Sequence, residues 1–215
     1  MPRITQTFRF MNEFDLKAAE WDNNPMHRDR SVAIANEIIR LIPLSEEMTA
    51  LEYGAGTGVT SLILKDYLKE ITLMDNSKEM IRVIDEKIRS SKVMNLKVLN
   101  FDLESDEFIE GKFDLVFTQM VLHHVNNIEK IINTFHQLLN QGGYIAIADL
   151  YEEDGSFHGD SFTGHKGFNI DYLSGILKKN RFSDIIHKTC FVIDRKTSET
   201  ESKQFNVFIM VARRD

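Results

Sequence analysis

Cysteine and proline are scarce in this sequence and acidic residues outnumber basic ones, and these features narrow the functions that the protein can have. A single cysteine, Cys190, excludes an internal disulfide and any metal site built from several cysteines. Lysine and arginine number 26 against 33 aspartate and glutamate residues, which gives a formal net charge of −7. Proteins that bind nucleic acids usually carry a basic surplus or stripe. We therefore expect no nucleic-acid partner.

Long apolar runs are also missing. No stretch approaches the roughly 20 apolar residues of a membrane span, and the charged N-terminal segment has no apolar core of signal-peptide length. We expect a cytoplasmic protein with no membrane partner. With 215 residues, of which 42% are hydrophobic, the chain has enough apolar material for one domain with an ordinary core.

A glycine-rich stretch orders the first half of the chain. It reads Glu52-Tyr53-Gly54-Ala55-Gly56-Thr57-Gly58, after an apolar run over 48–51 and before a helical pattern. Strand, glycine turn and helix form the first unit of a nucleotide-binding α/β domain, because glycine lets the backbone turn sharply and approach a ligand. The dinucleotide fingerprint needs a third glycine where this sequence has Val59. The motif therefore favours a cofactor without a pyrophosphate.

Two further carboxylates follow the next two predicted strands. Asp75 closes the apolar run 71–74, about 20 residues after the glycine loop, where a carboxylate can bind the two hydroxyls of a ribose. Asp102 comes just after the run 96–99. Carboxyl ends of parallel strands meet at one edge of an open α/β sheet, and ligands bind at that edge. The sequence thus predicts a ligand site at this edge.

More motifs follow in a fixed order and spacing. They include Met74-Asp75-Asn76-Ser77 with Met80, Phe101-Asp102-Leu103, Phe113-Asp114-Leu115-Val116, Leu122-His123-His124-Val125 and Leu138-Leu139-Asn140-Gln141-Gly142-Gly143-Tyr144. With them, the sequence resembles the class I S-adenosylmethionine-dependent methyltransferase family, in its small-molecule, methyltransferase type 11 or quinone-methyltransferase-like form. The resemblance covers roughly residues 48–150. It implies a Rossmann-like α/β fold: a mostly parallel seven-stranded sheet with an antiparallel last strand and helices on both faces.

The resemblance also implies S-adenosyl-L-methionine as the cofactor and roles for individual residues. The backbone at Gly54 and Gly56 would meet the amino-acid end of the cofactor, and Glu52 would order the loop or reach the amino group through water. Asp75 would bind the ribose. The alternatives are a plain tight turn for the glycines and a helix-capping role for Asp75.

The remaining implied contacts surround the adenosine and the reaction centre. Asp102 with Leu103 would hold the edge of the adenine, and Met80 would lie beside the adenosine or simply belong to the core. Gln119, at the end of the fourth strand, would face the reaction centre. The full set of implied cofactor residues is Glu52, Gly54, Ala55, Gly56, Asp75, Asn76, Met80, Asp102, Leu103, Gln119 and Trp21.

We divide the predicted domain, 1–215, into four segments. Residues 1–30 form an N-terminal cap segment, 31–149 the cofactor-binding core, 150–168 a lid, and 169–215 a C-terminal helix and strand hairpin. The lid is predicted because a glycine-punctuated, aromatic stretch of this length is uncommon as a structureless loop. Within the core and the C-terminal segment we expect helices over 31–42 and after a cap at Asn126, a strand over 144–148, and a left-handed helix end at Asn180.

The cap segment is rich in aromatic residues. Phe8, Phe10, Phe14 and Trp21 are spread over a polar stretch, and Asp22-Asn23-Asn24-Pro25 after it predicts a break in the chain. An N-terminal helix that covers the side of the sheet is one interpretation. The resemblance implies another, in which Phe14 and Trp21 form a roof over the cofactor.

Methyl transfer from a sulfonium is an in-line displacement, so the protein has to position the nucleophile, exclude water and remove a proton where the nucleophile carries one. His123 and His124 begin the turn after the fourth strand and are candidate general bases, since histidine titrates near neutrality. His165 and His158, in the lid, are further candidates, with a solvated loop position as the alternative. The acidic run Glu152-Glu153-Asp154 is typical of a solvated surface, and we expect no metal site.

One motif that is missing from the fourth strand gives information about the methyl acceptor. The fourth strand ends Phe117-Thr118-Gln119-Met120, without the Asn/Asp-Pro-Pro-aromatic tetrad of enzymes that methylate base amino groups. We therefore predict an enzyme that methylates a small-molecule acceptor, whose identity and methylated atom stay open, as does the oligomeric state. An RNA methyltransferase, a non-catalytic S-adenosylmethionine-binding module and, least favoured, a nicotinamide dehydrogenase are the alternatives.

Overall fold

The computed structural model describes residues 13–108, 111–198 and 200–215. Phe8 and Phe10 of the predicted cap segment lie outside the described residues. Seven strands form one sheet in the order β3-β2-β1-β4-β5-β7-β6. The strands are β1 Thr49–Tyr53, β2 Glu70–Asp75, β3 Leu96–Asn100, β4 Phe113–Gln119, β5 Leu139–Leu150, β6 Phe182–Lys196 and β7 Ser202–Arg214.

The first five strands are mutually parallel, and β7 lies antiparallel to both β5 and β6. A mostly parallel seven-stranded sheet with a reversed last strand is thus confirmed. The strand order changes direction between β1 and β4, and at such a point the adjacent crossovers leave on opposite faces and open a crevice at the carboxyl ends of the strands. This crevice lies beside the glycine loop.

Six α-helices cover the sheet in the described part of the chain. They are α1 Glu13–Lys17, α2 Pro25–Leu41, α3 Val59–Leu64, α4 Lys78–Ser91, α5 Ile128–Leu138 and α6 Ile170–Lys179. Short 3₁₀ turns follow α1, follow α3 and precede α5.

Alternate residues of the central strands face two separate apolar layers. Leu51 and Val116 belong to the core that includes α5 and α6. Ala50, Leu115 and Phe117 belong to the core that includes α2, α3 and α4. Because successive strand side chains point to opposite faces, a sheet covered by helices on both sides needs apolar residues in nearly every position. The central strands are therefore apolar at nearly every position because both of their faces are buried under helices.

The first long helix begins earlier than predicted. We expected it over 31–42, after a break at residues 22–25, but α2 runs from Pro25 to Leu41. The side chain of Asn24 accepts a hydrogen bond from the Met26 N–H (3.1 Å), and proline suits the first helical turn because it needs no N–H there. The predicted break is a helix start, so the boundary that we placed at residue 30 falls inside α2.

Three smaller predictions were wrong for local reasons. Asn127, not Asn126, caps α5. The left-handed residue after α6 is Arg181 (φ 58°), while Asn180 bonds back into the last helical turn. Strand β5 begins at Leu139 rather than at residue 144. The residues around Gly142, which we predicted as a turn, are part of the strand, and the β4–β5 register shifts between Phe113 and Leu115.

The 150–168 loop is tied to the body at both ends. Glu152 N–H donates to the Phe168 carbonyl (3.1 Å), and Glu153 N–H donates to the Lys166 carbonyl (2.9 Å). Phe157 is buried against Phe205, with ring centroids 5.1 Å apart. A lid motion would therefore be confined to the part of the loop between these ties, and the lid stays a prediction.

Across the residues that the structure describes, no helix combines the length and the apolar character that a bilayer crossing requires.

Removing the side chain of Asn127 tests the corrected start of α5. This side chain accepts the Lys130 N–H (2.9 Å), so Asn127→Ala should lower the free energy of unfolding by about 1 kcal/mol. The matched control is Asn126→Ala, which loses only a surface contact of 3.3 Å to Glu104 and should cost less than about 0.5 kcal/mol. Urea denaturation measures both, and a larger loss for Asn126→Ala would contradict the assignment.

Candidate active site

The glycine loop is bound to the end of the neighbouring strand. The N–H groups of Gly54 and Ala55 both donate to the Met74 carbonyl (2.9 and 3.0 Å). Gly54 has a φ of +71°, and a Cβ built there would lie 2.3 Å from a methyl group of Val121. Gly56 has a φ of +56°, and a Cβ there would meet no atom within 4 Å. Gly54 is thus required by packing, whereas Gly56 borders open space.

Glu52 lies fully buried beneath this loop, with 0% of its surface exposed. The Ser61 hydroxyl donates to its Oε2, and its Oε1 has no hydrogen-bond partner among the described residues. Burial raises the pKa of Glu52 to about 8, and the Ser61 hydrogen bonds oppose that shift. A carboxyl group with one unpaired oxygen is expensive to bury, so it would gain from a ligand that donates a hydrogen bond or carries a positive charge.

A chain of polar side chains links three elements beside Glu52. The Gln119 amide, at the end of β4, donates to the Thr60 hydroxyl at the start of α3. The Ser31 hydroxyl on α2 donates to the Gln119 carbonyl oxygen (3.2 Å). Gln119 therefore faces the predicted ligand edge, and its two ends are fixed between α2 and α3.

Arg30 adds a buried positive charge next to this chain. Only 7% of its surface is exposed, its Nε is unpaired within the described part of the chain, and its Nη1 approaches the Met26 sulfur (3.8 Å). Burial lowers the pKa of Arg30 to about 10, which leaves it protonated at neutral pH, and the charge of Asp149 opposes the shift. A buried guanidinium without a carboxylate bound to it is costly, so an anionic ligand group would be stabilising here.

The Asp75 carboxylate lies at the end of β2, where the sequence places it. It accepts the Gly56 N–H at Oδ2 and the Ser77 N–H at Oδ1, both at 2.8 Å. Burial raises the pKa of Asp75 to about 6, and these backbone hydrogen bonds oppose the shift. The Ser77 hydroxyl, rather than Asp75, caps α4 by accepting the Met80 N–H (3.2 Å). The capping alternative for Asp75 is thus not the one that the structure uses.

The residues assigned to the adenine side of the cofactor are half-buried or buried. Asp102 accepts the Glu104 N–H at Oδ1 (2.9 Å) and the Ser105 hydroxyl at Oδ2 (3.2 Å), so its carboxylate orders its own turn. Leu103 and Met80 are buried in the core. Contact of these three residues with a cofactor stays a prediction.

Two aspartates tie the N-terminal segment to the glycine loop and α4. Asp22 accepts the Thr57 hydroxyl (2.6 Å) and pairs with Lys87 (2.5 Å). Asp15 accepts the Ser77 hydroxyl (2.6 Å). The segment therefore lies across the predicted ligand edge, as a roof would have to, and its charged residues hold it there.

The aromatic residues of the N-terminal segment contact histidines near the same edge of the sheet. Trp21 stacks on His27 with ring centroids 4.2 Å apart, and the edge of Phe14 meets His124 at 5.2 Å. Phe14 thus reaches the histidines that follow β4. Contact of Trp21 with a cofactor stays a prediction.

Those histidines form a cluster that the sequence only partly predicted. Ring centroids of His123, His124 and His158 lie 4.2 to 5.5 Å apart, and Phe162 stacks on His158 at 4.0 Å. His123 is 1% exposed, and its Nδ1–H donates to Asp149 (2.6 Å). Asp149, which is fully buried, also accepts the Leu150 N–H (2.7 Å). Asp149 is thus bonded to Nδ1 of His123, and Nε2 is the ring nitrogen that Asp149 does not contact.

The outer two histidines are weak bases. Burial lowers the pKa of His124 and that of His158 to about 4, and the neighbouring His123 adds to both shifts. Both rings are therefore neutral near pH 7, which reduces the driving force for either to take a proton from an acceptor.

His165 stands apart from the cluster. Its ring Nε2 faces the Val125 carbonyl (3.0 Å), and its backbone N–H donates to the His123 carbonyl (2.8 Å). These bonds anchor the 150–168 loop to the turn after β4. The contact with the backbone occupies Nε2 of the His165 ring. A catalytic role for His165 stays a prediction.

Sequence reasoning missed Asp149 and Arg30. Asp149 follows the apolar run of β5 just as Asp75 follows that of β2, so the same rule of acids at strand ends would have found it. Arg30 stood outside the predicted helix because the start of α2 was placed at residue 31, and no local signal distinguishes it from Arg28.

Replacing Glu52 tests how its burial affects stability. Because its folded pKa of about 8 exceeds the usual 4.5, its contribution to stability is complete below pH 4.5 and is lost as the pH rises through about 8. The wild-type free energy of unfolding should fall between about pH 5.5 and about pH 7.5, by up to about 1.4 kcal/mol per pH unit from this group. Glu52→Gln should remove that part of the slope. The exposed Glu46→Gln is the matched control and should keep it; an unchanged slope in Glu52→Gln would show that Glu52 ionises normally in the folded state.

Comparison with known proteins agrees with this geometry. Residues 51–147 match the family model of a methyltransferase domain. An uncharacterized methyltransferase of Schizosaccharomyces pombe is 31% identical over 153 residues, which are 64% of this chain and 54% of that protein. The chain thus spans about half the length of this curated relative.

Two solved structures share the fold. The N-methyltransferase NodS from Bradyrhizobium japonicum, in complex with S-adenosylhomocysteine, superposes with a TM-score of 0.71 at 16% identity and covers 95% of this chain and 97% of its own. Phosphoethanolamine N-methyltransferase 2 from Haemonchus contortus, in complex with phosphomonomethylethanolamine and S-adenosylhomocysteine, superposes with a TM-score of 0.69 at 16% identity. The match covers 94% of this chain and 60% of that one. The matched methyltransferase domain over residues 51–147 and the methyltransferase relative support assignment of this domain to the class I S-adenosylmethionine-dependent methyltransferase family.

Proposed function

We propose that this chain transfers the methyl group of S-adenosyl-L-methionine to a small-molecule acceptor. The observation that carries the proposal is a pair of buried ionisable groups, each of which has one polar atom without a hydrogen-bond partner among the described residues. They are the Glu52 carboxyl and the Arg30 guanidinium.

These two charges suit the amino-acid end of the cofactor. That end is a zwitterion, so its ammonium would satisfy the free oxygen of Glu52 and its carboxylate would satisfy Arg30. Gln119, at the same edge of the sheet, is held in place by its hydrogen bonds with Ser31, the neighbour of Arg30 in the chain, and with Thr60. Open space at Gly56 lets the backbone come close to the ligand between Glu52 and Asp75.

The ribose would then lie at the Asp75 carboxylate. Its two oxygens each accept one backbone N–H and have further lone pairs for hydroxyl groups. When bound, the cofactor supplies an electrophilic methyl group. The protein's own part is to position the acceptor in line with that group and to exclude water.

The acceptor would enter beyond Gln119, next to the histidine cluster. Of the aromatic residues in the 150–168 loop, Phe162 lies on His158, while Phe157 and Phe168 are buried in the two cores. Phe14 closes the other side. Although Lys17 lies over Phe14 (5.8 Å) and Arg195 over Phe157 (4.8 Å), the aromatic side chains around the histidines favour a low-molecular-weight acceptor over a phosphate backbone. The solved methyltransferase with phosphomonomethylethanolamine supports a small acceptor as well.

Asp149 gives the acceptor side one oriented nitrogen. Because Asp149 bonds to Nδ1 and so fixes the ring of His123, Nε2 is the ring nitrogen left for an acceptor at the edge between β4 and β5. His123 is thus better placed than His124 or His165 to interact with an acceptor.

The direct test incubates the protein with cofactor labelled in the methyl group and either a metabolite extract or total RNA. We expect label in a small molecule that depends on the protein. Label in RNA and in no small molecule would favour the RNA methyltransferase alternative, and binding without turnover to S-adenosylhomocysteine would favour a non-catalytic module. Stronger protection of the fold by NADH than by S-adenosylmethionine in thermal unfolding would favour the dehydrogenase alternative.

Asp75→Ala tests the ribose contact. Hydrogen bonds to charged groups contribute roughly 1.5–3 kcal/mol, so affinity for S-adenosylhomocysteine should fall about ten- to a hundred-fold by calorimetry. The exposed Asp66→Ala is the matched control and should bind as the wild type does. Equal affinity of a folded Asp75→Ala protein would show that the carboxylate serves only the glycine loop.

A further inference from the structure

The histidine cluster has the composition and spacing of a metal site. One ring nitrogen from each of His123, His124 and His158 can serve as a ligand atom, and these atoms lie within 4.8 Å of one another. Two of the residues are adjacent in sequence, and the third comes from the 150–168 loop. Among the described residues, Asp149 is the only ion-pairing partner of these three imidazoles, and it contacts His123 alone.

We propose that His123, His124 and His158 bind a divalent transition-metal ion, with Zn²⁺ as the best match, at the acceptor side of the cleft. The proposal does not rest on the proposed methyl transfer, because metal binding can be measured without cofactor or acceptor.

The spacing requires only a small adjustment. Imidazole nitrogens bind Zn²⁺ at about 2.0–2.1 Å, which puts two ligands of a tetrahedral ion about 3.4 Å apart. Nitrogens within 4.8 Å reach that separation when each ring moves by less than about 1 Å. His158 belongs to a loop section that lies between the ties at either end, so it can make most of this movement.

Two hydrogen-bonding features support metal ligation over simple packing. Asp149 accepts the Nδ1–H of His123, and a carboxylate in that position orients a metal-binding histidine and strengthens its Nε2 as a ligand. His158 Nε2 is buried and lacks any hydrogen-bond partner in the residues described, which leaves a polar atom that a metal would satisfy.

The ligand set selects the class of ion. Three imidazoles and no carboxylate in the ligand set suit Zn²⁺, Cu²⁺, Ni²⁺ or Fe²⁺ and disfavour Mg²⁺ and Ca²⁺, which prefer oxygen ligands.

Three protein ligands leave one position of a tetrahedral ion open, as in catalytic zinc sites. Phe14 and Phe162 flank the cluster, so a ligand in that position would be a compact group with an oxygen, nitrogen or sulfur donor. A hydroxyl or thiol bound there would have a lowered pKa. The site would thus favour acceptors that bind a metal through an ionisable hydroxyl or thiol.

The test uses the full chain without an affinity tag, stripped of metal with a chelator. Calorimetry with Zn²⁺ should show one ion bound per chain, and Co²⁺ should give the visible absorption of a four-coordinate site, which Zn²⁺ abolishes. His124→Gln and His158→Gln should each weaken Zn²⁺ binding at least about 100-fold, because each removes one of three ligands. His187→Gln, an exposed histidine on β6, is the matched control and should bind as the wild type does.

Thermal unfolding separates binding from folding. Zn²⁺ should raise the Tm of the wild type and of His187→Gln and leave that of His124→Gln and His158→Gln unchanged. Two outcomes would overturn the proposal: no Zn²⁺ binding by the wild type at about 1 mM metal, or equal binding by folded His124→Gln and His158→Gln proteins. His123 is left intact because it is buried against Asp149 and its replacement could unfold the chain.

Discussion

The burial of charge at the carboxyl edge of the sheet is the constraint on which the candidate site depends. Parallel strands covered by helices on both faces leave this edge as the place where polar side chains collect. Glu52, Arg30 and Asp149 are all buried there, and burial of a charge is costly unless a partner compensates it. Asp149 is fully satisfied by donors of the protein, whereas Glu52 and Arg30 each have one polar atom without a partner in the described part of the chain. Unpaired polar atoms thus lie where a ligand would bind, and the fully bonded carboxylate lies where a side chain has to be oriented.

The same edge divides into two halves with different chemistry. On the β2 side, backbone N–H groups bond to Asp75, and the glycine loop brings the main chain close to open space. On the β5 side, Asp149 orients His123 within an aromatic surrounding. Gln119, at the end of β4, lies between the halves. A cofactor on one side and an acceptor on the other would meet at Gln119.

The fold and the cofactor side could be predicted from sequence because their signals are local. Strand, glycine loop and helix follow one another within 51–64, and an acid directly after an apolar run marks the end of a parallel strand. Asp75 was found in this way. The start of α2 was misplaced because Asp22-Asn23-Asn24-Pro25 is equally typical of a break and of a helix cap, and only the Asn24 hydrogen bond distinguishes them. Arg30 was lost with that boundary. The histidine cluster could not be predicted, since His158 is far from His123 in sequence and reaches it only through the path of the 150–168 loop.

The central claim, that Glu52 and Arg30 bind the amino-acid end of the cofactor, is tested most directly by a binding cycle with a truncated ligand. S-adenosylhomocysteine and 5′-methylthioadenosine share the adenosine and the sulfur, but the second lacks the ammonium and carboxylate. Calorimetry would compare both ligands on the wild type, Glu52→Gln and Arg30→Met. The account predicts that the wild type prefers S-adenosylhomocysteine by at least about 100-fold, from two charged contacts of roughly 1.5–3 kcal/mol each, and that each variant loses about ten-fold or more of that preference while its affinity for 5′-methylthioadenosine is unchanged. A preference that stays the same in both folded variants would contradict it.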